Sequence, residues 1–334
     1  MTQFDFGFDP ASVPSAPAAT SKAKNARTPK TASVTDPETL AHELERHPDY
    51  RVLRHLIPRL RFDDVPQGSV TRVIVLDTET TGLDQSRDKI IELAMLQVTV
   101  DTSTGLPIGE VAVYDGLEDP GMPISKEIET ITGISNEMVR GQRLDEARIA
   151  ALLEGADLVI AHNAAFDRPF VEARLPQFQH LPWGCSFADI DWKTEGHGSA
   201  KLEYLALEMG WFYDAHRAEV DCHALLAVLG TLLPASQRTG LAKVIAATQR
   251  PGYRLQATAA PFDAKDLLKA RAYRWNAELK VWHTLLDDET QLQAECDWLK
   301  ASVYGNRPAR VQVEKLDARV KYSSRAGELS LRQV

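Results

Sequence analysis

The chain has 334 residues, 44% of them hydrophobic and 25% charged, with a formal net charge of -9. That length allows one large domain or two ordinary ones, and the composition is normal for a globular protein with a core of ordinary size. The acidic balance argues against a protein that coats DNA or RNA by bulk charge, although a carboxylate-bound metal can restore attraction for phosphate locally. Cys185, Cys222 and Cys296 are far apart and form no Cys-x-x-Cys pair. This speaks against structural zinc or a disulfide framework and for a reducing compartment. The N-terminus has no basic start followed by an apolar run, and no stretch approaches the roughly 20 apolar residues of a membrane span. A cytoplasmic location is expected.

Residues 1–35 are rich in Ala, Ser, Thr, Pro and Lys, a composition that buries too little apolar surface to order itself. A tail is expected there, with Lys22, Lys24, Arg27 and Lys30 as a solubilising or nucleic-acid-brushing patch. Asp36-Pro37 reads as a helix cap and first turn, and Leu40, Leu44, Leu53, Leu56 and Leu60 follow at mixed helical spacing. Two short helices are expected over 36–66. Strands are expected from Val70 to Leu76, Ile90 to Val100 and Glu110 to Tyr114. Helical patterns then alternate with short strands, including the apolar Leu158-Val159-Ile160-Ala161. Three strands followed by alternation imply an α/β domain with a mixed sheet over 67–240. After Arg250-Pro251-Gly252 the pattern predicts a small α-β-β-α module over 250–305, and a flexible polar tail over 306–334.

The first strand runs into Asp77 and Glu79. Strand side chains alternate, so both carboxylates point to one side. Like charges side by side split their pKa values or take a cation between them, and carboxylate oxygens suit Mg²⁺ or Mn²⁺. A lone Asp-x-Glu is more often a strand ending at the surface. Thr80-Thr81-Gly82 makes this one more informative, with hydroxyls and a glycine that lets backbone approach a ligand. A second cluster, His162-Asn163-Ala164-Ala165-Phe166-Asp167, leaves a buried strand. Asp167 reads either as a helix cap ahead of Pro169 or as a ligand at the strand's carboxyl edge. In the third, His216 precedes Asp221, which shares a helix face with Leu225, Val228, Leu229 and Leu232. A surface histidine and a helix-start carboxylate would read the same way alone. Together the acids suggest one site: Asp77, Glu79, Asp167 and Asp221 bind two divalent ions, and His216 takes a proton from an activated water.

The order DTETTG, HNAAFD, HRAEVD resembles the three motifs of the DEDDh 3′-5′ exonuclease family, the group that includes epsilon-type subunits of DNA polymerase III. The likeness covers about residues 70–235 and takes in Thr130-Ile131-Thr132-Gly133-Ile134 and Lys201-Leu202-Glu203-Tyr204-Leu205. It implies a ribonuclease H-like mixed sheet flanked by helices, with two Mg²⁺ or Mn²⁺ ions on the four acids. It also implies His216 as general base and nucleoside 5′-monophosphates as products. Thr80, Gly82, Leu83 and Phe166 occupy the positions that cradle a 3′-terminal nucleotide in that family.

The expected substrate is a DNA 3′ end, in proofreading or repair. The alternatives are an exoribonuclease acting on RNA ends or short oligonucleotides, or an accessory subunit of a polymerase or repair complex. In the last case the C-terminal module would dock the partner. Trp275 and Trp282 in that module suit either a hydrophobic core or a base-stacking platform.

Overall fold

The computed structural model describes residues 36–62 and 65–334. The expected tail at 1–35 lies outside the described residues. Helix α1 (Pro37–Glu45) begins as its sequence implies, with the Asp36 carboxylate accepting from Thr39 N at 3.1 Å.

The second expected N-terminal helix is not formed. The segment instead runs extended through β1 (Arg54–His55) and β2 (Arg61–Phe62). The spacing of Leu53, Leu56 and Leu60 fits a helix locally, but Pro58 removes a donor, and the free backbone groups find partners elsewhere. Leu56 N donates to Phe212 O and Val111 N to Leu60 O, both at 2.9 Å. Leu56 is thereby buried in the main core.

Strands β3 (Val70–Thr80), β4 (Ile90–Asp101) and β5 (Pro107–Leu117) form an antiparallel meander. Helices α2 (Lys126–Thr132), α3 (Asn136–Val139) and α4 (Glu146–Leu153) follow it. The parallel strand β6 (Leu158–Ala161) pairs with β3 and leads into α5 (Ala164–Arg174). The edge strand β7 (Trp183–Cys185) comes next, followed by α6 (Leu202–Glu208). The short β8 (Trp211–Phe212) pairs with β1. Helices α7 (Ala218–Leu229) and α8 (Gly240–Thr248) complete the domain. The six-stranded sheet has the order β2-β5-β4-β3-β6-β7. It is the ribonuclease H-like mixed sheet, flanked by helices on both faces.

Alternation along β3 divides its side chains between two cores. Val73 and Val75 face α7 and meet Leu225, Val228 and Leu229. Ile74 and Leu76 face α4 and α5 and meet Ile149, Phe170 and Val171. At roughly 1.5–3 kcal/mol for each large apolar side chain fully buried, both faces fix the register of β3. Every residue that leaves its carboxyl end is therefore firmly placed.

The C-terminal module is larger than the sequence pattern suggested. Its strands are β9 (Gly252–Ala257), β10 (Arg274–Asn276), β11 (Val281–Leu286), β12 (Arg310–Leu316) and β13 (Glu328–Gln333). They form a five-stranded antiparallel sheet in the order β10-β11-β9-β12-β13. Helices α9 (Lys265–Ala270) and α10 (Glu289–Trp298) contribute Leu268, Leu292 and Cys296 to the core on one face. The expected flexible tail at 306–334 supplies two of the five strands. Most of its residues are polar, and the two strands join the sheet only through the pairing of β12 with distant β9. Trp275 and Trp282 are register partners with ring centroids 5.4 Å apart, and Trp282 packs on the module core. No described helix is long and apolar enough to cross a membrane.

Candidate active site

Asp77 and Glu79 lie within β3, whose ladder extends past the expected end to Thr80. Both point toward the face covered by α7, as the pleat requires. Asp221 lies in the first turn of α7. One carboxylate oxygen from each of Asp77, Glu79 and Asp221 falls within 4.8 Å of the others.

Such a group of acids is electrostatically unfavourable while it stays charged. Burial, followed by the neighbouring Asp167, Asp221 and Glu79 carboxylates, drives Asp77 well above its ordinary range. Burial and then Asp221, Glu92 and Asp167 push Glu79 up to about 8. Asp221 is also raised, chiefly by burial, with His216 N–H and Tyr213 hydroxyl bonds opposing the shift. Those bonds are 2.8 Å from His216 N to one Asp221 oxygen and 3.1 Å from Tyr213 Oη to the other.

Asp167 stands apart from that trio. It sits inside the first turn of α5, and the helix begins at Ala164 with Asn163 preceding it in the left-handed region. The capping role open to Asp167 is therefore not the one it takes. Its carboxylate accepts from Thr78 Oγ1 at 2.8 Å, and burial raises it to about 7. Thr78 points to the α5 side of β3, so Asp167 reaches the strand end from the face opposite α7.

His216 lies in the bend before α7 with φ 69, and it is exposed. Its backbone is tied to Asp221 while its ring is left at the surface. The next residue, Arg217, turns inward. Its guanidinium donates to Glu92 Oε1 at 2.9 Å from Nε and 2.6 Å from Nη2. The other Glu92 oxygen accepts from Ala218 N, the first amide of α7, at 2.8 Å. Glu92 is fully buried on β4 and is the register partner of Glu79. It does from a neighbouring strand what an N-capping side chain would do, so the bend carrying His216 is fixed to the sheet.

Glu92, Arg217, Thr78 and Tyr213 were not singled out from the sequence. A signal existed for Glu92: it is a lone charge in the apolar run Ile90 to Leu96. Arg217 lies inside the third motif, but its partner is 125 residues away. Tyr213 and Thr78 gave no comparable signal.

The residues expected to cradle a nucleotide follow β3. Thr80 is buried, and its hydroxyl donates to Gly82 O at 2.6 Å. A Cβ on Gly82 would meet the Asp88 carboxylate at 2.5 Å. That carboxylate is already held by Thr81 Oγ1 at 3.0 Å and Asp84 N at 2.8 Å, so it cannot easily yield. Leu83 is 83% exposed, a large apolar side chain held out in the loop that follows β3. Phe166 is half-buried, with its ring 5.2 Å from that of Phe170.

The acids fit a hard divalent cation. The donors are all carboxylate oxygens, and a cation would offset the burial, and at Asp77 and Glu79 the repulsion, that raise their pKa values. Arg217, the cation that lowers Glu79, is already committed to Glu92.

Comparison with known proteins follows the same residues. A family model described as "Exonuclease" matches residues 74–229. The chain is 31% identical over 167 residues to the DNA polymerase III subunit epsilon of Treponema pallidum, covering 47% of this chain and 74% of that protein. It is 33% identical over 129 residues to the PolC-type DNA polymerase III of Thermotoga maritima, covering 38% of this chain. The chain spans only 9% of the length of that relative. Among solved structures, E. coli Exonuclease I in complex with a dA16 oligonucleotide aligns with 17% identity and a TM-score of 0.41. That alignment covers 70% of this chain and 68% of the other.

Proposed function

The chain belongs to the DEDDh exonuclease family, and from that premise we propose that it is a divalent-metal-dependent 3′-5′ exodeoxyribonuclease serving proofreading or repair. The observation that carries this reading is the meeting of Asp77, Glu79 and Asp221 within 4.8 Å, with Asp167 beside them. These four acids would hold the ions, Mg²⁺ or Mn²⁺. Bound there, divalent cations would supply Lewis-acid stabilisation to the scissile phosphodiester and its leaving oxygen.

The chain's own groups do the rest. The His216 imidazole, presented at the surface by a bend locked to Asp221 and Glu92, accepts the proton of the attacking water. Tyr213 holds Asp221 in one orientation through its hydroxyl. The turn at Thr80 and Gly82 offers backbone close to the 3′-terminal nucleotide. Leu83 and Phe166 give apolar surface for its base and sugar. The partner in this reading is a DNA 3′ end, with a polymerase or repair protein as the wider assembly.

The test is digestion of 5′-labelled single-stranded DNA and matching RNA in Mg²⁺ or Mn²⁺, with Asp77→Ala as control. The expected result is a ladder shortening from the 3′ end, faster on DNA and absent in the control. Faster digestion of RNA would turn the assignment to an exoribonuclease. No metal-dependent digestion of either would leave a binding subunit.

A further inference from the structure

The face of the C-terminal sheet opposite α9 and α10 carries polar side chains around a cavity. Arg254 and Gln256 on β9, His283 on β11 and Glu314 on β12 lie side by side there in register. They line a cavity of about 660 Å³, with Lys280 from the β10–β11 turn and Arg325 at its rim. That volume is within the range of ligand sites. The groups converge from three strands. His283 Nδ1 is buried and meets no protein hydrogen-bond partner among the described residues. Glu314 is buried and bound to Arg254 at 2.6 Å, and Arg325 is bound to Glu172 at 3.0 Å, so the positive charge on this face comes mainly from exposed Lys280 and from exposed Arg274, the register partner of His283.

This cavity does not stand alone. A second one, of about 330 Å³, shares Arg254 and Ser324 with it. The second is lined on its other side by Gln85, Ala165 and Pro169. Gln85 belongs to the loop that carries Leu83, and Ala165 and Pro169 flank Asp167 on α5. A trough of mixed character therefore runs from the loop after the first motif, past Leu286, Leu316 and Tyr322, to the C-terminal sheet. Exposed Leu285 and Leu329 lie along it.

We propose that this trough binds a single-stranded polynucleotide on the 5′ side of the terminal nucleotide, with backbone phosphates on the sheet's cationic groups. The inference rests on the exonuclease reading above and adds where the rest of the strand lies. A strand suits the site better than a free nucleotide. The donors are spread across three strands, and no Trp, Tyr or Phe side chain closes the larger cavity into a base pocket. Trp275 and Trp282, the stacking candidates from the sequence, take the other pleat face, so the contact is expected to be electrostatic and tolerant of sequence.

The experiment uses the full-length chain and a Lys280→Glu, Arg274→Glu double variant. Both side chains are exposed, and the Lys321 and Arg325 contacts with the exonuclease domain remain. Arg254 is left alone because its loss would strand buried Glu314. Affinity for oligo-dT of about 20 and about 4 nucleotides is measured in EDTA across a salt series, and hydrolysis of each in Mn²⁺. The variant is expected to bind the long oligonucleotide about 10-fold more weakly, with a salt slope shallower by about 1.4 for two lost phosphate contacts on a single strand. The short oligonucleotide should be bound and hydrolysed as before. Equal affinity of the unmodified chain for the two lengths, or a long-oligonucleotide affinity unmoved in the variant, would overturn the trough and return the face to protein docking. Length-dependent binding lost in the variant, with no hydrolysis by either protein, would uphold the trough and reject the exonuclease reading.

Discussion

Asp167 and Arg168 are neighbours on α5, both buried, and they face opposite electrostatic surroundings. Asp167 binds Thr78 at the end of β3, close enough to Asp77 to raise it, in a region of acid beside acid. Arg168 is fully buried and turns toward groups of complementary charge. Its Nε donates to Glu172 at 2.7 Å, and its Nη atoms donate to the carbonyls of Ala318, Arg319 and Lys321. Arg325 adds two bonds to Glu172, and the indole of Trp183 lies 5.3 Å from the Arg168 guanidinium carbon. The β12–β13 connection is thus strapped to α5 and to β7, where Trp183 N donates to Ala318 O at 2.7 Å.

The contrast separates two uses of buried charge. Around Arg168 the charges have partners, as buried charge requires, and the cluster serves to hold the module against the domain. Around Asp167 the carboxylates make no ion pair among the described residues, and their burial, joined at Asp77 and Glu79 by repulsion, shows as raised pKa values. Buried like charges persist where a ligand completes them.

Substitutions should act oppositely in the two clusters. Asp77→Asn is expected to bring nuclease activity to background, while its metal-free melting temperature at about pH 8.5 rises by roughly 2–4 °C, because one buried acid of a cluster that ionises at that pH is replaced by a neutral group. His216→Ala is expected to lower kcat by about 10²–10⁴-fold with melting unchanged. Arg168→Met should do the reverse of Asp77→Asn. It removes one of the two cations on Glu172 and strands three carbonyls, and urea unfolding should show a loss of about 3–5 kcal/mol. A melting temperature lowered by Asp77→Asn, or unmoved by Arg168→Met, would break the comparison.

Glu92→Gln sharpens it, because Glu92 is a paired charge that borders the unpaired ones. Losing its ionic hold on Arg217 and the first amide of α7 should cost about 10–100-fold in kcat, as for groups that orient metal ligands.

The smallest effect is one of pH. Glu79 and Asp167 have ordinary values of 4.5 and 3.8 and folded values of about 8 and about 7. Their contribution to the stability of the metal-free protein is full below the ordinary values and is lost as pH rises through 7 and 8. A cation favours the charged forms, so Mn²⁺ should raise the melting temperature more at about pH 8.5 than at about pH 6. An equal rise at both would contradict it.

What the sequence disclosed follows the range of the interactions. The apolar run of β3, the alternation behind it and the three acidic clusters are local patterns, and each lies where its pattern implied an element. Arg168 reads as an ordinary helical arginine, because its carbonyl partners are about 150 residues later. Strand β13 shows five exposed residues of six, and its short Leu329-Ser330-Leu331 alternation lies on an exposed edge among polar residues, too brief to mark a strand. The extended Leu53–Leu60 segment imitates a helix until its partners in β5 and β8 are known. Glu92 was visible as an anomaly, but its role depends on the fold bringing Arg217 across to it.

The central claim is that the unpaired acids are completed by a divalent cation. Its most direct test is calorimetric titration of Mn²⁺ into the metal-free full-length chain at about pH 8, where the carboxylates can give up their protons. Saturable binding with proton release, lost in Asp77→Asn, is the predicted result. No saturable binding, or the same binding in the variant, would contradict the account.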